Sequence, residues 1–273
     1  MEQELVSVIM PTHNASKFVA GSIESILNQT YSNLELLITD DGSTDKRTID
    51  IINNFSLRDS RVKVMLLNGN HGPGYTRNKS IERAKGRYIA FCDSDDRWFP
   101  EKLEKQIDFM KSKGCALSCT SYIICDDEDN ETGINMALER ISFDMMKRDN
   151  KIGCLTAIYD TQILGGKFYM PTIRKRQDWA LFLTIIKKCH IAYGITTPLA
   201  YYRHRNNSVS NKKLALIKYN IKVYEQILGF SRFKAVMYFF IFFLPTYYAK
   251  IRKRKRDSTA YISKYKKTNN PSA

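Results

Sequence analysis

Phe91-Cys92-Asp93-Ser94-Asp95-Asp96 closes an apolar run that starts at Tyr88, so a strand-like segment runs straight into three carboxylates within four positions. Like charges this close repel unless a cation offsets them. Hard divalent ions such as Mg2+ or Mn2+ take carboxylate oxygens together with phosphate oxygens, so a strand-end acidic turn suits a nucleotide diphosphate site. Such a turn is also a common N-cap or solvated loop, and its neighbours have to decide between the two.

Upstream, Leu5–Met10, Leu34–Thr39 and Val62–Leu67 read as strands, and helical spacing over Lys17–Asn28, Asp45–Leu57 and Gly74–Lys85 separates them. Strands apolar on both faces and alternating with helices predict an α/β fold: a mostly parallel central sheet with helices on both faces. In such sheets ligands bind beyond the carboxyl ends of the strands. That rule gathers Pro11–Asn14, Asp40–Asp45 and Asp93–Asp96 on one rim.

Downstream, a helix is expected over Pro100–Ser112, and 115–160, with the acidic loop Asp126–Asp129, fits the second half of the same domain. A helix over Asp178–Lys188, a strand over Ile191–Ile195 and the segment Tyr201–Ser210 follow. With 273 residues and 43% hydrophobic content, the chain can bury one large core. Its net charge is +15, and Lys250–Ala273 holds nine of the Lys and Arg residues against Asp257 alone.

Ahead of that basic tail, Ala235–Ala249 carries no charge and seven aromatic residues, from Tyr238 to Tyr248. It falls short of the ~20 residues that span a bilayer. It is expected to lie in the membrane interface, with the basic run Arg252–Arg256 on anionic headgroups; the alternative is packing on the domain. Nucleic acid is not expected as a partner, since the aromatic run is too apolar for an exposed stacking platform. Six cysteines without CxxC or matching His spacing indicate reduced thiols, and the N-terminus lacks a signal-peptide pattern, so a cytoplasmic location is expected.

Three further motifs share the predicted rim. Asp40-Asp41-Gly42-Ser43-Thr44-Asp45 follows a strand; Ser43 or Thr44 can cap the next helix, while an Asp there can accept the imide N–H of a uracil. Ser7-Val8-Ile9-Met10-Pro11-Thr12-His13-Asn14 ends the first strand. In His71-Gly72-Pro73-Gly74-Tyr75-Thr76-Arg77-Asn78, glycines allow close backbone approach, and Arg77 can reach a phosphate or the acidic loop.

Together, in this order, the four segments resemble the family 2 glycosyltransferases over roughly residues 5–210. The resemblance implies a GT-A (Rossmann-like) catalytic domain over 1–210, with a nucleotide-binding half (1–112) and an acceptor half (113–210), then a helical, membrane-associating region with a basic tail (211–273). It implies that Pro11, Thr12 and Asn14 line the nucleotide pocket, that Asp41 contacts uracil, and that Arg77 lies near base or pyrophosphate. Asp93 then binds ribose or metal, and Asp95 is the chief ligand of Mn2+ or Mg2+. The family's general base maps to Asp178, although Gln177 stands where an acidic residue is usual and Thr76 where a small Ala is usual. Helix capping is the plain alternative for Asp178. Tyr201–Ser210 matches a segment that closes over the donor, with His204 a third metal ligand or Arg203 and Arg205 holding the diphosphate; a structural histidine is the alternative. His13, His71 and His190 are left as structural.

The expected activity is inverting transfer from a UDP-sugar to a saccharide acceptor, expected to be lipid-linked, in bacterial-type surface polysaccharide (O-antigen or capsule) assembly, at the inner face of the cell membrane. A sugar-phosphate nucleotidyltransferase would need a glycine-rich basic loop where Pro11–Asn14 stands, and a non-catalytic sugar- or membrane-binding module would lack the carboxylates. No short motif names the donor sugar.

Overall fold

The computed structural model of the chain describes residues 3–205 and 213–269. β1 (Val6–Thr12) and β2 (Leu34–Asp40) are buried almost throughout, because they lie at the centre of a sheet covered on both faces. Side chains along β1 alternate between two cores. Ile9 packs with Leu37 on one face, whereas Val8 and Met10 pack with Leu36 and Ile38 on the other.

α1 (Val19–Leu27) and α2 (Lys46–Arg58) connect β1, β2 and β3 (Val62–Leu66) and pack on the Val8 face. α3 (Pro73–Arg83) crosses the Ile9 face and leads into β4 (Tyr88–Phe91), giving a parallel block in the order β3-β2-β1-β4. Pro73 opens α3, where its missing N–H costs nothing. Register aligns Thr12 with Asp40 and Ile9 with Phe91, so the three motif loops leave the sheet at one rim, as expected.

The second half is less parallel than the periodicity predicted. β5 (Arg97–Trp98) and α4 (Lys102–Lys113) lead to β6 (Leu117–Cys125), which pairs antiparallel with β7 (Glu131–Asn135), and the short β8 (Arg140–Ser142) follows. After α5 (Phe143–Arg148), β9 (Ile158–Asp160) inserts between β4 and β6, antiparallel to both. Then come the single turn α6 (Thr161–Leu164), α7 (Gln177–Cys189) and β10 (Ile191–Arg203), parallel to β6. β10 far outruns the expected Ile191–Ile195: it continues through a break in register at Pro198, which lacks a backbone N–H for the ladder, and carries Arg203 to the acidic loop.

α8 (Lys213–Leu228), α9 (Arg232–Tyr238), a π-helical turn (Phe239–Phe243) and α10 (Leu244–Asn269) complete the described chain. Ala235, Phe239 and Phe243 are buried in the same core as α7, where Trp179 meets Tyr224 and Phe243 with ring centroids 5.6 Å from each. The opposite face exposes Phe233, Met237, Phe240 and Ile241. Packing on the domain, the alternative posed above for 235–249, therefore holds for one face of this segment, and the other face is exposed. No described helix is long and apolar enough to cross a membrane.

α10 then runs along β7. Ser258 Oγ accepts from Ile134 N at 3.0 Å and donates to Ile134 O at 3.2 Å, and Tyr261 OH donates to Glu131 Oε2 at 2.8 Å. Gly133 permits this approach, since a Cβ there would lie 2.5 Å from Ser258 Oγ. The expected boundary at 210/211 and the Asn206–Ser210 part of the closing segment lie outside the described residues.

Candidate active site

The rim is built by side chains that tie one motif to the next. Asp40 accepts from Ser43 N and Ser43 Oγ at 2.8 and 2.6 Å, closing the turn whose Gly42 adopts φ 68°. A side chain at Gly42 would strike the backbone of Gly69 at 2.6 Å. With Ser43 so engaged, Asp45 caps α2 through Arg47 N at 3.1 Å, a role expected of Ser43 or Thr44.

Asp41, almost fully buried, accepts from His71 N and Gly72 N at 2.8 Å each and so fixes the turn into α3. Each carboxylate oxygen retains a lone pair for a further donor such as a base N–H. Asn14, held at φ 47°, spends its Oδ1 on Thr44 N and Asp45 N, both at 3.0 Å. It joins two rim loops, which leaves Pro11 and Thr12 as the β1 residues at the expected pocket. Thr12 Oγ1 is buried with no hydrogen-bond partner among the described residues, and so is Arg77 Nε. Buried polar atoms are rarely left so, and both lie where a ligand is expected.

Arg77 donates from Nη2 to Asp93 Oδ1 at 2.5 Å, joining the third and fourth motifs. Its neighbour Asn78 clamps Met170 in both directions at 2.8 Å, which fixes the segment leading to α7. Asp95 is raised by burial and by the nearby charge of Asp93, and Arg205 only partly opposes this, at 3.4 Å. Burial and the charges of Asp95 and Asp93 push Asp96 higher still, although Arg203 N donates to it at 3.0 Å. Burial and mutual repulsion thus disfavour a full set of negative charges on this loop unless a cation offsets them. Asp93 and Asp95 fit a hard divalent ion. Among the described residues no three metal-binding side chains converge.

Two expected contributors have other surroundings or partners. His204 is exposed and lines a neighbouring cavity that shares Tyr122, Tyr202 and Arg254 with the cavity of Asp178 but is not lined by Asp93 or Asp95. Arg203 is buried and commits its guanidinium to Asp95 O, Asp126 O and Asp129 Oδ1, stacked 4.4 Å over the Phe18 ring. It works as a strut between the acidic loop and the Asp95 turn.

A cavity of about 370 Å3 joins Arg77, Asp93 and Asp96 to Asp178 at the start of α7. Asn150 Nδ2 donates to Asp178 Oδ2 at 3.0 Å and holds the carboxylate in place. Gln177, found where an acid is usual, donates to Arg174 O at 2.8 Å and packs against Gly74 of α3. The cavity is also lined by Lys151, Lys250 and Arg254. Asn150 and Lys151 carry no motif, Arg254 belongs to the Arg252–Arg256 run expected on headgroups, and Lys250 only opens the basic tail; the i,i+4 spacing of Lys250 and Arg254 is the available signal that they share a helix face. A larger cavity of about 730 Å3, near Glu24, Arg97 and Tyr201, holds none of the four rim motifs.

The glycosyl transferase family 2 model matches residues 7–168, which contain all four rim motifs. A Bacillus subtilis (strain 168) protein provisionally assigned to teichuronic acid biosynthesis as glycosyltransferase TuaG is 40% identical over 92% of this chain and 97% of its own. The Escherichia coli UDP-Glc:alpha-D-GlcNAc-diphosphoundecaprenol beta-1,3-glucosyltransferase WfgD is 36% identical over 80% of this chain and 84% of its own. Among solved structures, S. aureus TarS 1-349 in complex with UDP superimposes with a TM-score of 0.62 at 19% identity, over 83% of this chain and 72% of that one. The Pyrobaculum calidifontis mannosyltransferase PcManGT, in complex with GDP-Man and Mn2+, gives 0.57 at 15% identity, over 97% and 80%. The structural likenesses carry the fold; the family match and the full-length relatives carry the class. The chain belongs to glycosyl transferase family 2 and is a glycosyltransferase.

Proposed function

We propose that the protein transfers a sugar from a UDP-sugar, with inversion, to a hydroxyl of a lipid-linked saccharide during assembly of a surface polysaccharide. The observation that carries this reading is the single cavity joining Asp178, held by Asn150, to the Arg77–Asp93 pair and Asp96 at the strand ends. UDP complexes of TarS and the diphosphoundecaprenol acceptor in the name of WfgD support the donor and acceptor classes.

In this scheme Asp41 and Thr12 receive the nucleoside, and Asp93 and Asp95 hold Mn2+ or Mg2+. Bound there, the ion supplies Lewis-acid neutralisation of charge on the departing diphosphate. Asp178 takes the proton of the acceptor hydroxyl as its oxygen attacks the anomeric carbon from the face opposite the nucleotide, so a UDP-α-sugar gives a β-linkage. Asn150 keeps the base oriented, and Arg77 restrains Asp93. The exposed face of Phe233, Met237, Phe240 and Ile241 rests in the acyl boundary of an anionic membrane, with the basic residues of α10 on its headgroups.

The test is to follow UDP release from a panel of UDP-sugars with Mn2+ and saccharide acceptors, comparing wild type with Asp95→Ala. Release by the wild type and loss of about 100-fold or more in the variant is the expected outcome. Equal turnover of the two proteins would remove Asp95 from the mechanism. Co-sedimentation with anionic vesicles tests the membrane face: Phe240→Glu/Ile241→Glu should release the protein, and unchanged binding would contradict that part.

A further inference from the structure

The basic residues of α10 that line the catalytic cavity also line a second one. Asn135, Lys151, Lys250 and Arg254 border both the cavity containing Asp178 and a neighbouring groove of about 350 Å3 whose apolar wall includes Met136, Leu138, Met145 and Ala249. The charged cluster therefore stands where the reacting end meets the apolar groove. Resting on the reading of the chain as a transferase to lipid-linked saccharides, we infer that Lys151, Lys250 and Arg254 bind the diphosphate of the acceptor and that the groove takes the first part of its lipid chain.

The charge balance fits that ligand. Lys250 Nζ and Lys151 Nζ reach the same oxygen, Asp149 Oδ2, at 2.9 and 3.4 Å, so one buried carboxylate answers two ammonium groups. Arg254, one turn beyond Lys250 on α10, has no ion pair among the described residues. Around the groove Arg148, Lys151, Lys250, Lys253 and Arg254 face Asp149 and Asp257, the latter paired with Arg256, so positive charge is in surplus, and a diphosphate linking sugar to lipid carries one negative charge on each phosphoryl group. Burial lowers the pKa of Lys151; Asp149 opposes the shift, and the neighbouring cations Lys250 and Arg148 add to it. Arg176 adds a buried Nε without a partner among the described residues in the same cavity and sits at φ 69°, a strained backbone for a non-glycine residue.

Placement fits as well. The hydrogen bonds from Ser258 and Tyr261 to β7 hold α10 so that Lys250 and Arg254 face the cavity. The exposed Phe240 and Ile241 precede Lys250 and Arg254 by about 15–20 Å of helix. One helical segment thus joins an exposed apolar face, a cationic cluster and the cavity of the proposed base, in the order lipid, diphosphate, sugar. A nucleotide would have no use for the Met-lined groove.

The experiment measures KM for acceptor and for UDP-sugar separately, using hexosyl and N-acetylhexosaminyl diphosphoryl alkyl acceptors and their counterparts lacking the diphosphate. Arg254→Ala is expected to raise acceptor KM about tenfold or more, since a charge-assisted contact is lost, with UDP-sugar KM at the wild-type value and partial recovery in Arg254→Lys. Lys250→Ala should act in the same direction, and thermal melts of both variants establish that they fold. Unchanged acceptor KM in both variants, a rise in UDP-sugar KM in its place, or equal use of acceptors without the diphosphate would overturn the inference while leaving the transferase reading standing. A wild type that transfers to none of these acceptors would overturn both.

Discussion

The two halves of this molecule build their parts of the site in opposite ways. From β1 to β4 the rim is held by short-range bonds between adjacent loops: Asn14 to Thr44 and Asp45, Asp41 to His71 and Gly72, Arg77 to Asp93. From β6 onward, the cavity gathers Asn150, Asp178 and Arg254 from three distant segments, and α10 is held there by its bonds to β7 and by Lys250 on Asp149. On the proposed reading the donor side is a pre-formed shelf, while the acceptor side depends on a docked helix. Disturbing the first should cost stability before specificity; disturbing the second should change acceptor use with the shelf intact.

The largest break falls on the acceptor side at the chemistry itself. Asp178→Asn keeps the Asn150 side without the base, and turnover should fall about 100- to 10,000-fold while UDP affinity by calorimetry stays at wild type. Next comes the shelf. Asp41→Ala leaves two backbone N–H groups without their acceptor, costing about 2–4 kcal/mol in denaturant unfolding and weakening UDP binding as well.

The seam between the halves offers a third test. Lys102 on α4 is fully buried, with Nζ 2.9 Å from Gln106 Oε1 and 4.0 Å over the Trp98 ring, and burial lowers its pKa to about 7. Between pH 7 and the ordinary Lys pKa of 10.5, the unfolded chain binds a proton that the folded chain does not. Stability therefore gains with rising pH across that window, and the penalty is fully present below it. Lys102→Met should remove this slope and stabilise the protein at neutral pH by about 1–3 kcal/mol, read from denaturant midpoints at several pH values. The smallest effect is expected at Ser258→Val, which loses its bonds to Ile134 for about 1 kcal/mol and should speed amide exchange in α10 but not in β1 or β2.

The same contrast explains what the sequence discloses. The donor shelf is legible because each motif is contiguous and sits at the carboxyl end of an apolar run, so strand order alone aligns Thr12, Asp40 and Asp93 on one rim. Asn14 and Arg203 were assigned to the ligand, yet their partners are protein atoms; a short motif shows that a polar side chain is needed without showing which neighbour it meets. β9 was not foreseen as a strand between β4 and β6, since three residues carry too little periodicity. The acceptor side is illegible for a different reason. The spacing of Lys250 and Arg254 shows that they share a face of α10, but that this face turns to Asp178 is decided by Gly133 and Ser258, far apart in the chain.

The proposed reaction is a single displacement in which Asp178 activates an acceptor hydroxyl against a UDP-sugar held at Asp93 and Asp95. The anomeric configuration of the first-formed product, read by proton NMR during turnover of a UDP-α-sugar, tests it. A β-linked product with no α-linked precursor is expected; an α-linked first product would rule the single displacement out.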